Sequence, residues 1–342
     1  MQPSPMSGML MFVLGGLFGA VFYLPLKRVR GWAWESGWMI YSVVALLLVP
    51  AILGLSLTRD FAGTLAAAPR EELLYCLLCG AGWGFGGLTW GLMIRYLGVG
   101  LGLAIGCGIC SVTGTLVPPM LKGELSGLLQ SASGRVSLAG VAVSVLGIIL
   151  MGLAGMGKER DLSEQGKKTE GEFNLPKGLA IALFSGVMSA ALSFGLQGGP
   201  GLEQIAREAG TSDIWRGLPV LAVCLLGGFL VNGVWCLLLN LKNRTLGDYA
   251  KGPAAVNAGW AAGAGILWAM QFVAFKIGEP MMGTLGYVGW AMVMASSILF
   301  SGVLGVLLGE WKGAGKATKT SLATGLLVLL LSALIGGWSA SL

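Results

Sequence analysis

Apolar residues gather into ten runs, each about as long as a bilayer is thick, starting near Met6, Glu35, Leu73, Gly98, Val136, Gly178, Arg216, Ala254, Met281 and Ser321. A helix needs roughly 20 predominantly apolar residues to cross the hydrocarbon core. Nearly all of the 22 basic and 16 acidic residues lie between these runs or at their ends. Lipid offers no partner to an open backbone, so only helices or closed barrels can span it. Continuous apolar runs lack the alternation of barrel strands, and the pattern predicts an all-α polytopic membrane protein with ten transmembrane helices.

One segment breaks the pattern. Lys158 to Lys177 (KERDLSEQGKKTEGEFNLPK) is half charged, and it separates residues 1–157 from 178–342, five runs on each side. The halves share short matches in the same order. Gly16 and Ala20 correspond to Gly186 and Ala190, Gly123-Glu124 to Gly309-Glu310, and Arg135-Val-Ser-Leu-Ala139 to Lys319-Thr-Ser-Leu-Ala323. Five helices per unit place the second unit upside down relative to the first. That predicts two inverted five-helix repeats, with a substrate site near the bilayer midplane between them. The expected cavity is walled by the first, third, fourth, sixth, eighth and ninth helices. The fifth and tenth, almost wholly aliphatic, are expected at the periphery.

Charge then orients the chain. Fifteen Lys and Arg residues follow the odd-numbered runs, and seven follow the even-numbered runs or lie in the tails. Because cytoplasmic loops carry the basic excess, the linker is expected in the cytoplasm and both termini outside, in a bacterial inner membrane. The net charge of +6 is spread over these loops and does not point to nucleic acid. Met1 to Pro5 carries no basic residue while Lys27, Arg28 and Arg30 follow the first run, so that run is read as a retained helix and not a cleaved signal.

Composition excludes other chemistry. Only 11% of residues are charged and 55% are hydrophobic, which leaves no room for a sizeable soluble domain. Two i, i+3 cysteine pairs, Cys76/Cys79 and Cys107/Cys110, fall inside apolar runs, and histidine is absent, so no metal site, cofactor or intramembrane enzyme is expected. Gly98-Val-Gly-Leu-Gly-Leu has neither a preceding strand nor a following Lys-Ser or Lys-Thr, so it is not a phosphate loop. The 58 glycines, often four apart as at Gly15/Gly19 and Gly82/Gly86, suit close helix crossings.

A small polar ligand in such a bundle needs hydrogen-bonding side chains and aromatic faces in an otherwise apolar cleft. Candidates within the runs are Tyr23, Trp83, Thr89, Trp90, Ser189, Ser193, Gln197, Asn232, Asn257, Trp268, Gln271, Tyr287 and Trp290. Gln271 with Trp268 is the leading pair, because an uncharged polar group deep in lipid needs a partner or a cavity. Lys27 and Glu35 flank the first cytoplasmic loop, where a gate or proton-coupling role is the alternative to a purely topological one.

The segment FYLPLKRVRGWAWE, Phe22 to Glu35, resembles the first cytoplasmic loop of the L-rhamnose-proton symporter family of the drug/metabolite transporter superfamily. The resemblance continues in Arg95-Tyr-Leu-Gly98, Glu172-Phe-Asn-Leu175, Leu267-Trp268, Gln271-Phe272 and Gly309-Glu-Trp311. It implies a ten-helix inverted-repeat carrier that imports a deoxyhexose, normally with a proton. The chain departs from the family at Gly87 and Thr89, where two asparagines are expected, at Leu285-Gly286-Tyr287 for Tyr-Asp-Tyr, and at Val293 for a histidine. A charge at the bilayer centre costs about 2.5 to 3.5 kcal/mol or more, and no run carries one at its middle. Proton coupling therefore falls to a carboxylate near a helix end, Glu35 first, with Glu124, Glu279 and Glu310 the others. An uncoupled facilitator or exporter of another metabolite, and a sugar receptor, are the alternative readings.

Overall fold

The computed structural model describes residues 4–97, 99–165, 174–339 and 342, and their regular elements are all helical. The long helices are α1 (Pro5–Leu26), α2 (Trp34–Leu57), α3 (Arg70–Leu97), α4 (Val99–Leu121), α5 (Ala132–Glu164) and α6 (Leu175–Gln197). After the short α7 (Pro200–Glu208) come α8 (Leu218–Asn243), α9 (Ala254–Met281), α10 (Gly289–Leu307) and α11 (Lys316–Ser339). Among the described residues nine helices are long and apolar enough to cross a membrane; in α4 the apolar stretch so described is the shorter Ile105–Leu121.

Local chemistry accounts for the boundaries that hydropathy missed. The run expected from Met281 becomes helix only at Gly289, because Pro280 and Gly283, with φ of +57°, end α9 and a 3-10 turn (Gly283–Val288) follows. Half of the charged linker is not loop: α5 runs on to Glu164 and α6 begins at Leu175, while residues 166–173 and Gly98 lie outside the described residues. α2 carries a π-turn at Val44–Leu48 just before Pro50, whose missing N–H removes one intrahelical bond.

Helices pair in a definite pattern. α6 lies against α3 and α4, and α1 against α9 and α10; α8 touches α3 and α2, and α2 touches α9; α5 lies on α4 and runs along α11, which also meets α10. Small residues permit these crossings. A Cβ on Gly80 would strike the Cys224 carbonyl between α3 and α8, and one on Gly16 would strike Ser296 between α1 and α10. Two rims result. At one, Lys27 pairs with Glu310, Lys158 lies over Trp311, and Asp161 accepts from Gly315 N and Thr318. At the other, Glu72 meets α7, Lys122 reaches Gln197, and Ser133 reaches the Ser339 carbonyl.

Candidate functional site

A row of aromatic rings runs through the buried interior. Trp38 lies 4.5 Å from Tyr41, Tyr41 lies 6.1 Å edge-on to Trp268, and Trp268 lies 5.0 Å from Trp83 and 4.6 Å from Phe272. Phe272 then meets Trp290 at 6.2 Å, and Trp290 meets Phe275 at 6.1 Å. α2, α3, α9 and α10 contribute these rings, so the row exists only in the assembled bundle. Gln271 is 5% exposed and its carboxamide lies against Gly19 of α1, where only a glycine leaves it room.

The other candidates divide by what holds them. Thr89 and Trp90 on α3 bond to Ser185 (2.6 Å) and Ser189 (2.8 Å) on α6, and no neighbour fills the space a Cβ on Gly87 or Gly91 would enter. Gln197 donates to Ser193 (2.7 Å), which donates to the Gly114 carbonyl on α4 (2.6 Å). Tyr287 donates to Ser137 (3.0 Å) and Trp290 to the Cys110 carbonyl (3.2 Å). Asn232 donates to Gly228 in its own helix and accepts a 3.4 Å contact from Trp38. Asn257 is engaged at both ends of its amide by the backbone of Arg30, at 3.1 and 2.8 Å. Tyr23 is 44% exposed beside Phe22.

Glu35 is buried at the start of α2, and its Oε1 accepts from Asn243 (2.8 Å) and Thr245 (3.1 Å). Asp248 sits beside it, accepting from Ala33 N (2.8 Å) and Ser36 (3.0 Å). The Ala33 amide bond, with the Ser36 hydroxyl and Lys251, holds the Asp248 carboxyl below the usual range against the opposing effect of burial. Lys27 is exposed and reaches Glu310 at 3.5 Å.

At the opposite rim lies an ion cluster of which only Glu279 stood out in the sequence. Lys276 on α9, 3% exposed, donates to Glu203 Oε1 and Glu279 Oε2, each at 2.5 Å, and to the Leu196 carbonyl at 2.9 Å. The signal available in the sequence was the i, i+3 spacing of Lys276 and Glu279. A separate groove of about 450 Å³ between α4 and α5 is lined by Ile105, Ile109, Val112, Val145, Ile149 and Met156, with Thr113 among its few polar groups. Its chemistry suits acyl chains and not a sugar.

The helices and the buried polar and aromatic interior define a multi-pass α-helical membrane protein. The family model described as "L-rhamnose-proton symport protein" matches residues 1–341. The chain is 35% identical over 336 residues to an L-rhamnose-proton symporter of Cronobacter sakazakii, covering 96% of each chain. It is 33% identical over 343 residues to one of Mannheimia succiniciproducens, covering 98% of each, and 34% identical to one of Yersinia pestis. The chain belongs to the L-rhamnose-proton symport protein family, a family of transporters and not of enzymes.

Proposed function

We propose that this chain imports L-rhamnose together with a proton across a bacterial inner membrane by alternating access between two inverted five-helix repeats, residues 1–157 and 178–342. The helix pairing supports the repeats. Exchanging α1 with α6, α2 with α8, α3 with α9, α4 with α10 and α5 with α11 turns each pair described above into another member of the same set. That is the behaviour of a pseudo-two-fold arrangement with α4 as the tenth spanning helix. Residues after α1, α3, α5, α8 and α10, the odd-numbered runs of the sequence, gather at the rim of Lys27 and Asp161, and the basic excess there supports a cytoplasmic rim, with both termini outside.

The observation that carries the substrate reading is the buried aromatic row, together with the buried carboxamide of Gln271 on the same helix as Trp268 and Phe272, in a chain matching a sugar-symporter family from end to end. Indole faces suit the apolar face of a deoxyhexose, and a buried carboxamide suits its hydroxyls. Trp268, Gln271, Trp83, Trp90 and Thr89 form the proposed contacts, with Ser193, Gln197, Tyr287 and Trp290 lining the same interior. Asn257 and Asn232 are assigned to holding the bundle, and Tyr23 to the cytoplasmic rim. Glu35 is assigned to the inner gate, where it joins α2 to the end of α8.

Purified protein in proteoliposomes provides the test, with uptake of labelled L-rhamnose followed with and without an inward proton gradient. Wild type is expected to concentrate the sugar, and Gln271→Ala to lose about tenfold or more in affinity, the scale of one or two kcal/mol for an unpaired buried group. Wild-type affinity in Gln271→Ala would remove Gln271 from the site, and transport of other metabolites in preference to L-rhamnose would remove the sugar assignment.

A further inference from the structure

Lys276 lies in an apolar helix near a membrane face, where an ammonium persists only if its charge is met. It is met twice. Glu279 comes from its own helix and Glu203 from α7, and the Leu196 carbonyl takes a third hydrogen bond. The second oxygen of Glu203 meets Arg216 at 3.4 Å, and Arg216 also meets Asp213, which pairs with Arg207. Of the other charged groups facing this end, Lys122, just past the end of α4, reaches the Gln197 carbonyl. Glu72 on α3 accepts the first amides of α7, Gly201 and Leu202, at 2.9 Å each.

α7 is therefore a stopper at this rim. Its Leu202 and Ala206 are fully buried, Glu72 holds its start, and Lys276 and Arg216 grip Glu203 from α9 and the foot of α8. Glu203 faces two cations, whereas Glu279 shares its ammonium with Glu203. Two carboxylates crowded on one cation favour a proton on one of them, and fewest ion pairs are disturbed if Glu279 takes it.

We propose that Glu279 is the proton-coupling residue and α7 a proton-linked outer lid. With the lid open, Lys276 and Glu279 form a neutral pair. Closure brings Glu203 onto the same ammonium, and Glu279 takes a proton from the outside medium on its free Oε1. No bond is made or broken other than this O–H. Loss of that proton to the cytoplasm restores the crowding and favours reopening of the empty carrier, so the cycle turns once per proton. This inference rests on the symport reading above and moves the proton from Glu35 to the opposite rim.

Hydrogen–deuterium exchange of the α7 amides in the wild-type protein tests the lid directly. After correction for intrinsic rates, exchange is expected to slow as pH falls from about 8 to about 5.5, by up to about tenfold per pH unit for one linked proton. Glu279→Gln should make it flat, as should Glu203→Gln. In proteoliposomes wild type should concentrate L-rhamnose by up to about tenfold per unit of pH gradient. Glu279→Gln should keep counterflow exchange of the sugar but reach an inside-to-outside ratio near one. Wild-type accumulation by Glu279→Gln, or lid exchange in the wild type that ignores pH, overturns the proposal. A wild type that equilibrates the sugar yet never concentrates it defeats the symport reading, a result distinguishable because the exchange measurement needs no transport.

Discussion

A single methyl group at Gly19 separates a sugar-binding role for Gln271 from a packing role. An ideal Cβ at Gly19 would overlap the Gln271 Oε1, and would lie 2.6 Å from the Ser297 Oγ and 2.9 Å from the Gln271 Cδ. Gln271 is 5% exposed, so its amide has little free volume to enter. The obstruction is the end of a flexible side chain and not backbone, so Gly19→Ala is expected to fold with a penalty of about 1 to 3 kcal/mol, the ordinary range for overpacking. If the displaced amide is a sugar ligand, affinity should fall about tenfold, which corresponds to about 1.4 kcal/mol. Adding Gln271→Ala removes the collision. The double variant should recover thermal stability relative to Gly19→Ala, with a coupling of about 1 kcal/mol or more, but should not recover binding. Melting of the purified protein and equilibrium binding of labelled L-rhamnose supply both readings. Wild-type affinity in Gly19→Ala, or binding restored in the double variant, would refute the reasoning.

Three further outcomes are expected. Asp248, outside the spanning segments, has its carboxyl held below the usual range, so its stabilising effect is full above the ordinary value of about 3.9 and is lost as pH falls through the lowered one. The melting difference between wild type and Asp248→Asn should accordingly be present at neutral pH and vanish in acid; a difference that grows in acid would contradict the sign. Glu35→Gln keeps an oxygen to accept from Asn243 and Thr245, and should preserve gradient-driven accumulation. Lost accumulation with intact counterflow would return the proton to Glu35. In cells, an impermeant thiol reagent should label Gln130→Cys and spare Ser163→Cys on a cysteine-free background, and the reverse pattern would invert the assigned topology.

Much of the all-helical architecture was legible because the bilayer imposes it: a chain that places its charges between and at the ends of long apolar runs has few ways to fold. What escaped depends on contacts far apart in sequence or on helix ends. Lys276 drew no notice because hydropathy averages over its neighbours, and nothing local reveals that Glu203, 73 positions away, closes on it. α7 went unremarked between two apolar runs, although Leu202, Ile205 and Ala206 form a narrow apolar stripe. Asn257 read as a sugar contact because a buried amide has no visible partner in sequence; its partner is the backbone of Arg30, 227 positions away. The aromatic row was visible as single tryptophans, while its order along the bundle came only from the crossing of four helices.

α5, at 33 residues, measures about 50 Å at 1.5 Å per residue and overshoots a hydrocarbon core of about 30 Å. Its projecting end presents Asp161 to the Gly315 amide and the Thr318 hydroxyl, and below this clasp α5 and α11 lie side by side. Residues 1–165 and 174–342 are thus fastened to each other by the packing of α5 on α11 and by this clasp. Residues 1–165 and 174–342, made as two separate polypeptides in one cell, should find each other in the membrane and work as one carrier.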